Sequence, residues 1–256
     1  MYDTFREAFE DLLYEIHEFG EERNSAFGNS AELRNVNYTI EHPFDSFVED
    51  WPTDRKPSLE YAQAFANWVV SGSDVMPKEL IELNPIADKF NYNREDLEAF
   101  ELPSSFSVFY GPRIAQQYEH VKNELISFPE TRRAVISVLD GINDNKMLSA
   151  LRDGLLQKVE YPCTIAIVFD ISPDGKLNLT TVMRSQNMVS VWPYDFYIAR
   201  TLLQKMANDI GVEPGTISGS IISAHIYERD YDYVYEFLRS DGHKFINPRE
   251  KSGAAS

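Results

Sequence analysis

The sequence predicts a single α+β domain, and three observations carry that prediction. Apolar residues recur at three- and four-residue intervals in several separate segments, the signature of amphipathic helices. Alternating, β-branched runs bounded by turn residues crowd the C-terminal half and read as strands. No repeat and no linker divides the 256 residues, a length that supports one sizeable core.

The elements follow in order. Phe5, Phe9, Leu12, Leu13, Ile16 and Phe19 form a helical stripe that Gly20 is placed to stop. Residues 21–30 are polar and read as a loop, and 36–40 alternate as a strand that His42-Pro43 ends. A helix is predicted over 58–71, with Tyr61, Phe65, Trp68 and Val69 on one side. Residues 72–105 carry mixed signals. A second helix over 112–127 leads through a turn at Pro129 to a strand over 134–139, and 141–160 is polar with a short helical middle. The strongest pattern begins at Cys163. A β-branched run over 163–171, the turn Ser172-Pro173-Asp174-Gly175 and an alternating run over 177–183 make a hairpin. Ile198, Leu202, Met206 and Ile210 place a helix over 194–210, closed by Gly211. A strand over 217–227 and a helix over 231–238 complete the domain, which is taken to span 1–247. The Ser/Gly/Ala-rich residues 248–256 are expected to fray.

Composition narrows the function. A formal net charge of -17 disfavours a long nucleic-acid partner, whose binding needs a basic surface. A small anionic substrate remains compatible if arginines gather locally. No run of about 18 apolar residues predicts a membrane span, and the acidic start Met1-Tyr2-Asp3 is unlike a secretion signal. One cysteine forms no intrachain disulfide, and a reducing cytoplasm is the expected setting. His17, His42, His120, His225 and His243 lack metal-ligand spacing, and neither a P-loop nor a Gly-x-Gly-x-x-Gly run occurs.

A lone cysteine is usually an apolar filler, but Cys163 has unusual company. The chain reads Tyr161-Pro162-Cys163, then Met183-Arg184-Ser185-Gln186-Asn187, then Trp192-Pro193-Tyr194-Asp195, and later Ser223-Ala224-His225-Ile226-Tyr227. Upstream stand Arg23-Asn24, Phe109-Tyr110-Gly111 and Thr131-Arg132-Arg133. In this order and spacing the blocks resemble the thymidylate synthase superfamily, over roughly Arg23 to Tyr227. The resemblance implies a mixed β-sheet flanked by helices, with a sheet face forming a homodimer interface. It implies that Cys163 adds to C6 of a pyrimidine nucleotide monophosphate, with Tyr110 and Asp195 beside it as catalytic groups. Arg23, Arg184, Ser185 and the pair Arg132 and Arg133, the pair crossing from the partner subunit, would hold the phosphate. Asn187, His225 and Tyr227 would complete the nucleotide site, the last two at the sugar hydroxyl. The one-carbon donor it implies is 5,10-methylenetetrahydrofolate.

The departures sharpen the reading. Thymidylate synthases carry asparagine where this chain has Asp195. An aspartate accepts from the N4 amino group of cytosine, and from N3 once N3 is protonated. The same exchange occurs in deoxycytidylate hydroxymethylases, to which the chain looks closest, so dCMP is the expected substrate. A helix-starting acid facing the dipole is the plainer account of Asp195. Phe65 replaces the family's proton-relaying glutamate, and Asn187 replaces an acid on the folate side. Val191 and Thr164 stand where a glycine and a histidine are usual. Two alternatives therefore stay open: folate-independent C5 chemistry on a cytidine or deoxycytidine nucleotide, and a catalytically silent nucleotide-binding homodimer.

Overall fold

The computed structural model describes residues 1–25, 28–45, 47–49, 51–85, 87, 94–102, 110–156, 161–240 and 242. The expected frayed tail, Phe109 and His243 lie outside the described residues. Among the described residues, helices α1 (Phe5–Phe19), α2 (Leu59–Ser71), α3 (Lys78–Leu83), α4 (Arg94–Ala99), α5 (Gly111–Ser127), α6 (Asn143–Arg152), α7 (Trp192–Ile210) and α8 (Tyr231–Ser240) accompany seven strands. The strands are β1 (Glu21–Ser25), β2 (Gly28–Ile40), β3 (Val135–Ser137), β4 (Thr164–Ile171), β5 (Leu177–Met183), β6 (Gln186–Asn187) and β7 (Pro214–Tyr227). They form one sheet in the order β1-β2-β7-β5-β4-β3, with β6 also on β7. The pairings of β7 with β5 and with β6 are parallel and the others antiparallel, so the sheet is mixed as expected.

Each long helix rests on the stripe seen in the sequence. Phe5, Ala8, Phe9, Leu12, Leu13 and Ile16 are the buried residues of α1, which lies on β2 and β7. Phe9 stacks on Trp192 at 5.9 Å between ring centroids, and Phe5 stacks on Phe196 at 4.3 Å, tying α1 to α7. Helix α7 also packs on β5, and α2 covers α7 and α5 as an outer layer. The opposite sheet face holds smaller, half-exposed side chains. Register places Val135, Val168, Thr180, Ser218 and Thr39 in one row across five strands, and Val135 and Ile222 are 39% and 37% exposed.

One glycine is required by its backbone conformation and another by close approach. Helix α7 closes on Gly211 at φ 76°, as predicted. At Gly219 on β7 a Cβ would sit 2.2 Å from the Tyr38 ring, so only glycine lets that ring lie across the strand.

Two expectations are corrected, and the stop at Gly20 holds. Residues 21–30 are not a loop: β1 and the start of β2 form a hairpin with Arg23 opposite Ser30. All five β1 residues are exposed, so backbone pairing makes this strand without the apolar alternation that marks half-buried ones. Gly20 does end α1, but in extended conformation (φ -67°, ψ 138°). Glycine is needed there because a Cβ would meet the Ile16 carbonyl oxygen at 2.3 Å. The strand expected over 134–139 narrows to Val135–Ser137.

Candidate active site

The β4–β5 hairpin builds the centre of the site. Thr164 pairs with Met183, so the residues just outside the ladder, Cys163 and Arg184, meet; the Arg184 amide donates to the Cys163 carbonyl at 2.8 Å. The guanidinium is fixed by its own backbone surroundings. Nε donates to the Pro162 carbonyl (2.8 Å) and one terminal nitrogen donates to the Tyr161 carbonyl (3.0 Å) while standing 3.6 Å from Cys163 Sγ. Its plane also lies over the Tyr161 ring, 5.0 Å from the centroid. A cation held this way stabilises negative charge on sulfur without first having to be ordered. Cys163 is half-buried, shielded but reachable.

Tyr110 supports the cysteine from below. Its hydroxyl accepts the amides of Cys163 (3.2 Å) and Thr164 (3.3 Å). Burial, then the nearby charges of Cys163 and Asp195, push its phenol well above the ordinary 10.0, so Tyr110 keeps its proton at neutral pH. The residue sits at φ 62°, ψ -43°, a strained conformation for a side-chain-bearing residue and one typical of functional positions.

Asp195 occupies the first turn of α7. Its Oδ2 accepts from Gln186 Nε2 at 2.9 Å. Between the sheet and α7 lies a cavity of about 20 Å³ whose walls include Tyr38, Tyr110, Thr164, Trp192 and Asp195. That volume holds about one water and no nucleotide. Tyr38, pushed up to about 12 by burial, accepts from Trp192 Nε1 at 3.0 Å and closes the rear wall.

A second row joins the site where β6 steps in beside β7. Asn187 and Glu32 flank His225 in register. Asn187 Oδ1 accepts the amides of Val189 (3.2 Å) and Ser190 (3.1 Å), so that oxygen is committed to its own turn. His225 and Tyr227 share a side of β7 as expected, with ring centroids 4.8 Å apart. Burial lowers the His225 pKa below 6.5, helped by the charges of Arg184 and Arg229 and opposed by the Ser223 backbone and Glu32. Neutral imidazole is therefore the form at physiological pH. Ser185 is half-buried in the two-residue join between β5 and β6.

The arginines divide. Arg184 is central. Arg23 lies opposite Ser30, which lies opposite Tyr227; two strand spacings, roughly 10 Å, separate it from Tyr227. Its side chain is 49% exposed beside Glu21 at 3.5 Å, on the rim of the site. Arg132 and Arg133 precede β3, and Val135 pairs with Val168, five residues beyond Cys163. At about 3.3 Å per residue that is roughly 16 Å away, so one chain does not bring this pair to its own cysteine. Arg133 instead contacts Glu124 at 2.9 Å, exposed.

Two groups carried no role in the sequence reading. Gln186 is 1% exposed against Asp195, and nothing in the sequence marks it, because its partner is set by how α7 starts. Arg229 lies over the Tyr227 ring at 4.3 Å; a further arginine two residues beyond the His-x-Tyr segment of an acidic chain was a usable signal. On α2, Phe65 is 4% exposed and stacks on Tyr61 at 5.6 Å. It is a core residue and moves no proton. Phe65 and Asn187 stand at the two positions where the resemblance expects acids on the folate side, and the Asn187 Oδ1 is committed to its own turn. Among the described residues no group of three or more His, Cys, Asp or Glu is arranged to hold a metal, and no helix is long and apolar enough to cross a membrane.

A thiol under a locked guanidinium, with a tyrosine and a carboxylate at the same end of the sheet, is an arrangement suited to nucleophilic chemistry at sulfur. The sequence profile described as Thymidylate synthase matches residues 8–249. The chain belongs to the thymidylate synthase family, one-carbon transferases acting at C5 of a pyrimidine nucleotide. A protein of Methanosarcina acetivorans named "Putative thymidylate synthase" is 32% identical over 173 residues, covering 61% of this chain and 74% of its own. A protein of the same name from Methanothermobacter thermautotrophicus is 25% identical over 242 residues, covering 93% and 95%. A Clostridium beijerinckii thymidylate synthase is 35% identical over 72 residues, 28% of this chain and 27% of that one.

Proposed function

We infer that the protein modifies C5 of a pyrimidine nucleotide monophosphate, with dCMP as substrate and hydroxymethylation, or methylation, as the outcome. The observation that carries the choice of base is Asp195, a carboxylate at the position where thymidylate synthases carry an amide, on the same cavity wall as Tyr110. As the Cys163 thiolate forms its bond to C6, the C5–C6 π pair shifts to C4–C5 and the C4–N3 pair moves to N3. N3 takes a proton from the Asp195 carboxyl, whose two oxygens then accept from N3–H and N4–H. C5 becomes nucleophilic and, once bonded to the one-carbon unit, gives up its hydrogen to solvent as a proton; expulsion of Cys163 then reverses the proton movement at N3. Arg184 steadies the sulfur charge, Tyr110 holds the cysteine main chain, and His225 and Tyr227 face the sugar.

Two copies complete the phosphate site in this reading. Arg132 and Arg133, too far from Cys163 within one chain, would reach it across a homodimer joined through the half-exposed sheet face that carries Val168, Thr180, Val182 and Ile222. Light scattering on a size-exclusion peak tests that, and a monomer removes the pair from the site. Methylenetetrahydrofolate is the donor that family membership supports. Phe65 and the committed Asn187 oxygen favour a second reading, C5 chemistry with no folate.

Tritium release from 5-tritiated dCMP, with dUMP and CMP in parallel and with and without methylenetetrahydrofolate, separates these. Folate-dependent release from dCMP that Cys163→Ser abolishes is the expected result. Release without folate favours the second reading. No release from any nucleotide that binds would leave a silent nucleotide-binding dimer.

A further inference from the structure

We propose that Gln186 is a positioning residue for Asp195, retained for the carboxyl's proton chemistry at the expense of fold stability. The inference rests on the assignment of Asp195 to the pyrimidine. Gln186 is 1% exposed. Among the described residues its side chain makes one hydrogen bond, Nε2 to Asp195 Oδ2 at 2.9 Å, and its Oε1 is buried with no partner.

A buried acceptor left unsatisfied is unfavourable, whereas an apolar side chain of similar shape is nearly neutral. A methionine at 186 would fill the same volume against β7 with no polar atom to satisfy. The fold therefore has no use for this amide, and the one group that does is the Asp195 carboxyl. The chemistry is specific. In the carboxylate form, Oδ2 accepts from Gln186 Nε2. An amide also meets both forms of the carboxyl: Nε2–H donates to the carboxylate, and after a half-turn Oε1 accepts from the acid O–H. No apolar residue follows the carboxyl through that cycle, and glutamate follows it only while protonated.

Gln186→Met and Gln186→Glu test this in the full-length protein, read by thermal unfolding, dCMP binding and the pH profile of tritium release from 5-tritiated dCMP. Gln186→Met is expected to melt at or above the wild-type temperature and to bind dCMP within about threefold. Its turnover should fall about tenfold to a hundredfold, the loss of one hydrogen bond to a charged group, and the pH profile should shift. Gln186→Glu should recover turnover as the pH falls, when its carboxyl again donates. A lower melting temperature for Gln186→Met, or unchanged turnover and pH profile, overturns the proposal. Failure of the underlying assignment looks different: wild-type protein would release no tritium from dCMP, or Asp195→Asn would leave the dCMP preference intact. Even then the melting temperature decides whether the amide serves the fold.

Discussion

Replacing Tyr110 with phenylalanine removes a single oxygen and leaves the ring packed, so the consequence can be worked from the hydrogen bonds of its hydroxyl. The hydroxyl accepts the amides of Cys163 at 3.2 Å and Thr164 at 3.3 Å. Thr164 is 4% exposed, so its orphaned N–H carries most of a desolvation penalty of about 1–3 kcal/mol; the half-buried Cys163 amide adds a smaller fraction, and both bonds are longer than the usual optimum. About 2 kcal/mol in total is expected, which for a chain of this size lowers the melting temperature by roughly 4–8 °C. Circular dichroism melts and urea titrations read this directly, with an unchanged urea slope showing that the native state stays compact. The hydroxyl also fixes the main chain that presents Sγ, so Tyr110→Phe should slow alkylation of Cys163 by iodoacetamide at fixed pH. A melting temperature within about 1 °C of wild type would refute the argument, because two orphaned amides cannot cost so little unless the tether carries no load.

Three further expectations follow from other parts of the fold. Gly219→Ala forces a methyl to 2.2 Å from the Tyr38 ring, so a loss of about 1–3 kcal/mol or more is expected in urea titration; an unchanged midpoint contradicts the packing described. Arg113 clasps the 2%-exposed Asp144 through two bonds of 2.9 Å. Arg113→Leu should therefore cost about 3–5 kcal/mol, and Arg113→Leu with Asp144→Leu distinctly less than the two single losses together; simple additivity in a double-mutant cycle would count against the clasp. His225 has a folded pKa below its ordinary 6.5. Below that value the unfolded chain binds the extra proton, so stability should fall as pH drops through 6.5 and be restored above it. His225→Gln should flatten that slope in melts from pH 7.5 to 5, whereas an unaltered slope places its origin elsewhere.

The helices were legible because each buries one stripe: Phe5, Phe9 and Leu12 announce α1, and Ile198, Leu202 and Met206 announce α7. So was the meeting of Cys163 and Arg184, since a hairpin turning at Ser172-Pro173-Asp174-Gly175 brings residue 163 back beside 184. The His225 and Tyr227 pair followed from strand alternation alone. Residues 21–25 escaped because all of them face water, and a strand held only by its backbone leaves no apolar signal. Gln186 escaped for another reason. Its meeting with Asp195 depends on the angle at which α7 leaves the sheet, which no local spacing encodes. Phe65 was recognised as a departure, but only the packing shows it absorbed into an aromatic stack with Tyr61.

The join between β5 and β6 constrains how this sequence can diverge. Only Arg184 and Ser185 separate two strands that lie in succession along β7. Adjacent strand residues point to opposite sides, so one residue gained or lost there would turn Gln186 away from Asp195 and Asn187 away from its row with His225. A change of length in that join cannot be tolerated. Insertions and deletions in descendants of this chain should therefore collect in turns such as Ser172–Lys176 and leave the 184–187 interval at constant length, which makes that interval a fixed ruler for aligning distant members of the family.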